Sequence, residues 1–217
     1  MDKPPLAYTI LENGWILKVQ PPVHPESNRV LLLLHGWTGN ETVMSVFGQK
    51  AAVDYWKISP RGIVKTSTSG YGWLPIDSIR QHKFSDYVPV VDELDRQLSH
   101  WLNYLRIPAN MIDLMGFSQG GAVILTYLIH KPERIGRAAC LAGFLPDGAE
   151  KYIDPTKLTG KKVMIAHGTD DETVPIDMAA QSASLFESAG AEVTFCRDEV
   201  GHKLGPTCYK GLETFFA

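Results

Sequence analysis

Cysteine is scarce in this 217-residue chain: Cys140, Cys196 and Cys208 stand far apart, and an odd number cannot all pair. No close spacing of ligand types accompanies them, so the pattern argues against a disulfide scaffold and against a thiolate metal site. Cys140 and Cys196 fall in apolar, strand-like runs, where a buried free thiol is the common case. A reducing, cytoplasmic setting is the expectation, with no metal bound. An excess of one charge is also lacking. The formal net charge of −3 gives no electrostatic case for a nucleic acid or an anionic membrane as partner. No apolar run reaches membrane-spanning length, so stable insertion is not expected. The opening Met1-Asp2-Lys3-Pro4-Pro5 lacks the basic-then-apolar pattern of an export signal. Repeats, low-complexity tracts and linkers are absent too. What is present, 44% apolar and 21% charged residues, fits one soluble domain over residues 1–217 with a sizeable core.

Two short β-like runs between Tyr8 and Val19 flank Asn13-Gly14, a hairpin turn signal. Arg29 to Leu34 is a continuous apolar run, the mark of a strand buried on both faces of a parallel sheet. His35-Gly36-Trp37-Thr38-Gly39-Asn40 reads as a loop, Glu41 to about Val53 as a helix, and Trp56 to Pro60 as the next strand. From Asp86 to Leu105 apolar residues recur at three- and four-residue steps, which predicts an amphipathic helix with Trp101 on its core side. Further strands are expected at Arg137 to Ala142, Lys162 to Ala166 and Glu192 to Arg197. Helices are expected at Ile176 to Ala189 and Thr207 to Phe216. Strands alternating with helices give an α/β fold: an open, mostly parallel sheet covered on both faces, with an antiparallel hairpin at its leading edge.

The stretch Met111 to Leu125 organises the rest. An apolar run ends in Gly116-Phe117-Ser118-Gln119-Gly120, and a second apolar run follows without a break. That is strand, one sharp turn, then helix. The turn strains its central residue, so the positions two before and two after it must be small, as Gly116 and Gly120 are. With 19 glycines in the chain, a bare G-x-S-x-G arises by chance about 0.1 times. The flanking strand and helix sharpen the signal further. Ser118 would stand at the carboxyl edge of the sheet as a nucleophile, and the unpaired N–H of Gln119 at the helix start would face developing negative charge.

A serine hydroxyl needs a histidine to take its proton and an acid to orient that histidine. Behind such a turn the expected order is serine, acid, histidine. Among seven histidines only His202 follows a late strand, in Val200-Gly201-His202-Lys203-Leu204. The acid belongs in the loop after the preceding strand, where Asp170, Asp171 and Glu172 compete. A second oxyanion donor is expected from the loop after the earlier central strand, at the N–H of Trp37.

Four motifs now stand in order: Leu-Leu-Leu-His35-Gly36, Gly116-Phe117-Ser118-Gln119-Gly120-Gly121, His167-Gly-Thr-Asp-Asp171-Glu-Thr-Val174-Pro175 and Gly201-His202. Together they resemble the carboxylesterase and acyl-protein thioesterase family of the α/β-hydrolase fold, and they span residues 31 to 202. The resemblance implies hydrolysis of small-molecule esters or thioesters, no cofactor, and no separate cap domain. Its H-G-x-x-D-x-x-V-P pattern puts the catalytic acid at Asp171, with Asp170 as runner-up. Trp37-Thr38-Gly39-Asn40 replaces the family's more usual Leu-Gly-Asp-Thr type of sequence, a departure that bears on the substrate. Three other readings compete. A dienelactone-hydrolase-like lactonase would have cysteine where Ser118 stands. A lipase or phospholipase would want an exposed apolar lid or a basic face. A non-catalytic binding protein of the same fold would have no need of serine, acid and histidine together.

Arg61 to Ser85 is the longest irregular segment, and it carries Tyr71 and Trp73 beside Gly70 and Gly72. It leaves the carboxyl edge of the sheet, where open α/β sheets bind ligands. Tyr71 and Trp73, with Leu204 beside His202, are therefore candidates for contact with substrate.

Overall fold

A computed structural model describes residues 5–48, 51–67, 69–76, 82–109 and 111–217. Strand β1 (Tyr8–Glu12) turns at Asn13-Gly14 into β2 (Trp15–Gln20), and both of those turn residues take positive φ. The parallel strands are β3 (Val30–Leu34), β4 (Trp56–Pro60), β7 (Ile112–Phe117), β8 (Ile135–Leu141), β9 (Lys162–Gly168) and β10 (Glu192–Asp198). A small ribbon, β5 (Val64–Lys65) with β6 (Tyr71–Gly72), lies apart from them. The main sheet has eight strands in the order β1-β2-β4-β3-β7-β8-β9-β10, antiparallel only where β2 meets β1 and β4. This is the α/β-hydrolase architecture.

Helix α2 (Phe84–Leu105) buries Tyr87, Val91, Leu94, Leu98, Trp101 and Leu102, the stripe its sequence period predicts. With α3 (Gln119–His130) and α5 (Ile176–Ser188) it closes one side of the sheet over Leu32, Leu34 and Leu114. Alternate residues of the same strands, Leu31, Leu33 and Met115, face the other side and meet Leu212 of α6 (Pro206–Phe215). All five residues of β3 are buried, as two covered faces require. Edge strand β10 alternates instead between exposed and half-buried residues.

Of the helix expected from Glu41 to Val53, the described residues show one short turn, α1 (Ser45–Gly48); residues 49 and 50 of that span lie outside the described residues. Asn40 Oδ1 accepts bonds from the N–H and hydroxyl of Thr42, at 2.8 and 2.7 Å. Such side-chain bonds compete with helix formation. The buried Glu41 carboxylate is gripped by both arms of the Arg61 guanidinium, at 2.7 and 2.8 Å. These ties hold the segment as a loop over the carboxyl edge.

The reading of Cys196 as a free thiol is overturned. Cys196 on β10 is joined to Cys208 on α6, with Cα atoms 5.5 Å apart. Strand spacing in sequence could not reveal that α6 folds back onto β10. The pairing also withdraws the ground on which a reducing setting was expected. Cys140 is free and buried. A short α4 (Pro155–Leu158) lies in the connection between β8 and β9.

Candidate active site

Ser118 occupies the single residue between β7 and α3, with φ 53° and ψ −118°. That backbone conformation is strained for a residue with a side chain. It persists because its surroundings fix it. The Ser118 N–H donates to Leu141 O at 2.9 Å, tying the turn to the end of β8. A Cβ on Gly116 would stand 2.2 Å from Gly120 O, and one on Gly120 would stand 2.2 Å from Leu34 O. The first glycine lets the helix start cross its own strand; the second lets it pass the neighbouring strand. Gln119 follows at the head of α3. Its side-chain oxygen accepts from Trp73 N–H and its amide nitrogen donates to Leu74 O, both at 2.8 Å. The side chain is thus committed to the loop above.

His202 lies in the loop after β10, and its Nδ1 stands 2.7 Å from Asp171 Oδ2. Its ring also packs against Phe117, the residue before the serine, with centroids 5.0 Å apart. With Nδ1 engaged by the acid, Nε2 is the nitrogen left for the cleft that Ser118 also lines. Three carboxylates competed for this role in the sequence, and the surroundings separate them. Asp171 is buried, and its Oδ1 accepts from the N–H groups of Thr173 and Val174, both at 2.9 Å. Asp170 and Glu172 are exposed. The acid and base loops are joined by Thr169 N–H to Asp198 O (2.9 Å) and Asp170 N–H to Val200 O (3.1 Å). A Cβ on Gly168 would stand 2.1 Å from Val200 O, so this close approach requires glycine there.

The third loop follows β3. His35 Nε2 accepts from Gly62 N–H at 2.9 Å, so its proton sits on Nδ1, which donates to Gly36 O at 2.7 Å. Burial holds this ring below the usual histidine range, in keeping with its neutral, bracing role. The indole of Trp37 lies over Gly72, where a Cβ would come within 2.1 Å of Cε3.

Two hollows meet at this point. One is a cavity of about 230 Å³ whose apolar walls are Trp37, Ile76, Tyr87 and Phe144; Ser118, Gln119, Thr173, His82 and His202 supply its polar groups. The other is an open groove of about 400 Å³ running past Val43, Met44, Val46 and Phe47. Trp37, Ser118 and His202 border both.

The aromatic residues expected to touch substrate lie elsewhere. Trp73 is fully buried; its Nε1 donates to His35 O at 2.7 Å. A buried indole N–H needs such an acceptor, and the end of β3 provides it. Tyr71 is held under the Arg61 guanidinium, 4.8 Å from its ring centroid, and its N–H donates to Gly39 O. Leu204 packs half-buried against the core cluster on the α6 side. None of the three lines either hollow. Phe144 and Thr173, which do line the cavity, follow the carboxyl ends of β8 and β9. The rule that singled out the loop after β4 would have found them had it been applied to every strand. Tyr87 was hidden in the core stripe of α2. Among the described residues one group of three metal-ligating side chains occurs, Cys196, Asp198 and Cys208. Its sulfurs are bonded to each other, and Asp198 Oδ2 accepts from Cys208 N–H.

A strained serine turn, a buried carboxylate–imidazole pair and an apolar cavity beside them stand together at one edge of an α/β-hydrolase frame. Residues 16–217 match the family model described as Phospholipase/Carboxylesterase, and the chain belongs to that family. It is a hydrolase of the carboxylesterase/thioesterase group. Esterase YpfH of Escherichia coli (strain K12) is 27% identical over 195 residues, covering 86% of this chain and 80% of that protein. Acyl-protein thioesterase 1 of Emericella nidulans is 36% identical over 115 residues, 50% of this chain and 48% of that one. The crystal structure of a carboxylesterase from Mesorhizobium loti superposes with a TM-score of 0.82 at 18% identity, covering 96% and 97% of the two chains. The Bacillus cereus carboxylesterase gives a TM-score of 0.81 at 24% identity, covering 92% of each.

Proposed function

We propose that the protein is a serine hydrolase cleaving carboxylic esters or thioesters of small to medium acyl chains through an acyl-enzyme on Ser118. One observation carries the reading: a buried carboxylate, Asp171, engages His202 Nδ1 at 2.7 Å while the His202 ring packs beside the strained serine turn. The carboxylate orients the ring and offsets the charge it gains.

In this mechanism His202 Nε2 takes the hydroxyl proton as Ser118 Oγ bonds to the acyl carbon. The carbonyl oxygen becomes an oxyanion facing the N–H groups of Trp37 and Gln119. As the tetrahedral centre collapses, the bond to the leaving alcohol or thiol breaks, and His202 returns the proton to it. Water then attacks the acyl-enzyme by the same route, releasing the acid and restoring Ser118. The enclosed, largely apolar cavity is suited to the acyl chain. Its volume is about 230 Å³. The open groove would then receive the leaving group and admit water.

The test is labelling by a fluorophosphonate probe, followed by turnover of p-nitrophenyl esters and acyl thioesters of graded chain length. Labelling should fall on Ser118 and vanish in Ser118→Ala, with turnover lost on the order of 10⁴-fold or more. A folded Ser118→Ala protein that still hydrolyses these substrates normally would overturn the reading.

A further inference from the structure

Asp171 is approached by a second imidazole. His167, the last-but-one residue of β9, has a fully buried side chain whose Nε2 lies 2.8 Å from Val174 O and 3.3 Å from Asp171 Oδ2. Since Val174 O can only accept, the ring proton sits on Nε2. Nδ1 is then a bare acceptor, buried and without a partner. A buried polar atom with no partner is uncommon and asks for an explanation.

We propose that His167 is a positioning residue for the reaction, a crosspiece that fixes the Asp171 carboxylate for His202; this rests on the serine-hydrolase reading above. Two contacts do the positioning. The bond to Val174 O fastens the far end of the turn whose N–H groups hold Asp171 Oδ1. The same N–H edge turns its partial positive charge toward Oδ2, the oxygen that faces His202. Asp171 is thereby engaged at both oxygens.

The orphaned Nδ1 has a function in this arrangement. A doubly protonated His167 would bury a second N–H with nothing to accept it, so burial holds the ring below the usual histidine range against the attraction of Asp171. Asp171 and His202 are the titratable groups that bear on it. Arg197, its partner in register on β10, carries its guanidinium over the Phe195 ring. A cationic His167 would pair with Asp171 itself and compete with the imidazolium that forms at His202 during turnover. Neutrality keeps the acid available to one partner only.

The experiment compares wild type, His167→Phe, which keeps the ring shape without nitrogens, and His167→Gln, which can place an N–H near the Nε2 position. His167→Phe should lose kcat on the order of 10²-fold, the scale of a misplaced catalytic group, with KM little changed. The far-downfield proton resonance of the Asp171–His202 hydrogen bond should weaken in it. His167→Gln should restore both. In wild type, ¹⁵N spectra should find His167 as the neutral Nε2–H tautomer at pH 7–8, gaining a proton only below the ordinary histidine range of about 6.5; that measurement stands even where His167→Phe does not fold. Titration of His167 at or above about pH 6.5, an Nδ1–H tautomer, or a folded His167→Phe enzyme with unchanged kcat and an intact resonance would each overturn the proposal. Failure of wild type to label at Ser118 would overturn the underlying reading instead, so the two failures are distinguishable.

Discussion

Cys196 and Cys208 lie six positions before and six positions after His202, and their sulfurs are joined. The loop carrying the proposed base is therefore closed covalently at its root, independently of the hydrogen bonds that tie its tip to the Asp171 loop. A short closed loop of this kind contributes about 3 kcal/mol through the unfolded chain it constrains. Cys208→Ala is expected to lower unfolding free energy by ~2–4 kcal/mol under non-reducing conditions. Denaturant melts with and without dithiothreitol check this. The difference between variant and wild type should shrink on reduction, and equal gaps in both buffers would mean that the bond contributes nothing.

Asp171 and Asp170 are neighbours in the chain with opposite surroundings, one buried beneath His202 and the other exposed. Asp171→Asn is expected to cut kcat/KM by about 10⁴, because the amide would leave the imidazole in the wrong tautomer. Asp170→Asn should stay near wild type. Steady-state kinetics on one p-nitrophenyl ester decide it, and a larger loss at position 170 would move the acid by one residue.

Stability should depend on pH through two rings that play no part as base. His35 and His167 are both held below the usual histidine range by burial. In the unfolded chain each binds a proton at about pH 6.5, whereas the folded protein resists doing so. Between those two points the unfolded state holds more protons, so stability is full above about pH 6.5 and declines as pH falls further. Melting temperature measured from pH 8 to 5 should fall on the acid side, less steeply in His167→Phe. A slope identical in variant and wild type would remove His167 from the account.

Chain-length selectivity should answer to Phe144 and not to Trp73. Phe144→Ala opens the cavity, so longer p-nitrophenyl esters should gain relative to short ones by up to about 0.8 kcal/mol for each CH₂ newly buried. Trp73→Ala removes the indole bond to His35 O and a fully buried ring. Its melting temperature should drop by many degrees while the chain-length profile keeps its shape. The opposite pattern of profiles would return Trp73 to the cavity wall.

The individual strands and the turn at Ser118 were legible because each depends on short local patterns: unbroken apolar runs, and glycines where backbones cross; the order in which the strands lie side by side is not written locally. Asp171 required the resemblance, since burial is what distinguishes it from Asp170 and Glu172, and burial is not written locally. The disulfide was illegible because it depends on α6 returning to the edge strand. Trp73 misled for a related reason. An aromatic residue in a loop can face a cleft or fill the space behind it, and the acceptor that draws it backward, His35 O, lies on a different segment. His35 was read as a loop opening and as part of a family motif, with no role for its ring, although its two ring nitrogens bond Gly36 O and Gly62 N–H on either side of the loop.

Trp37 has a consequence as a reporter. Of the chain's five tryptophans, Trp15, Trp73 and Trp101 are sealed in the core, and Trp56 sits near the opposite end of the sheet with its indole N–H bonded to Ser27 O. Trp37 alone borders both the cavity and the groove beside Ser118. Its emission is therefore the one that acylation or leaving-group departure can perturb from either side. With Trp56 replaced by Phe, the enzyme would carry its own optical readout of each half-reaction, with no added dye and no chromogenic ester.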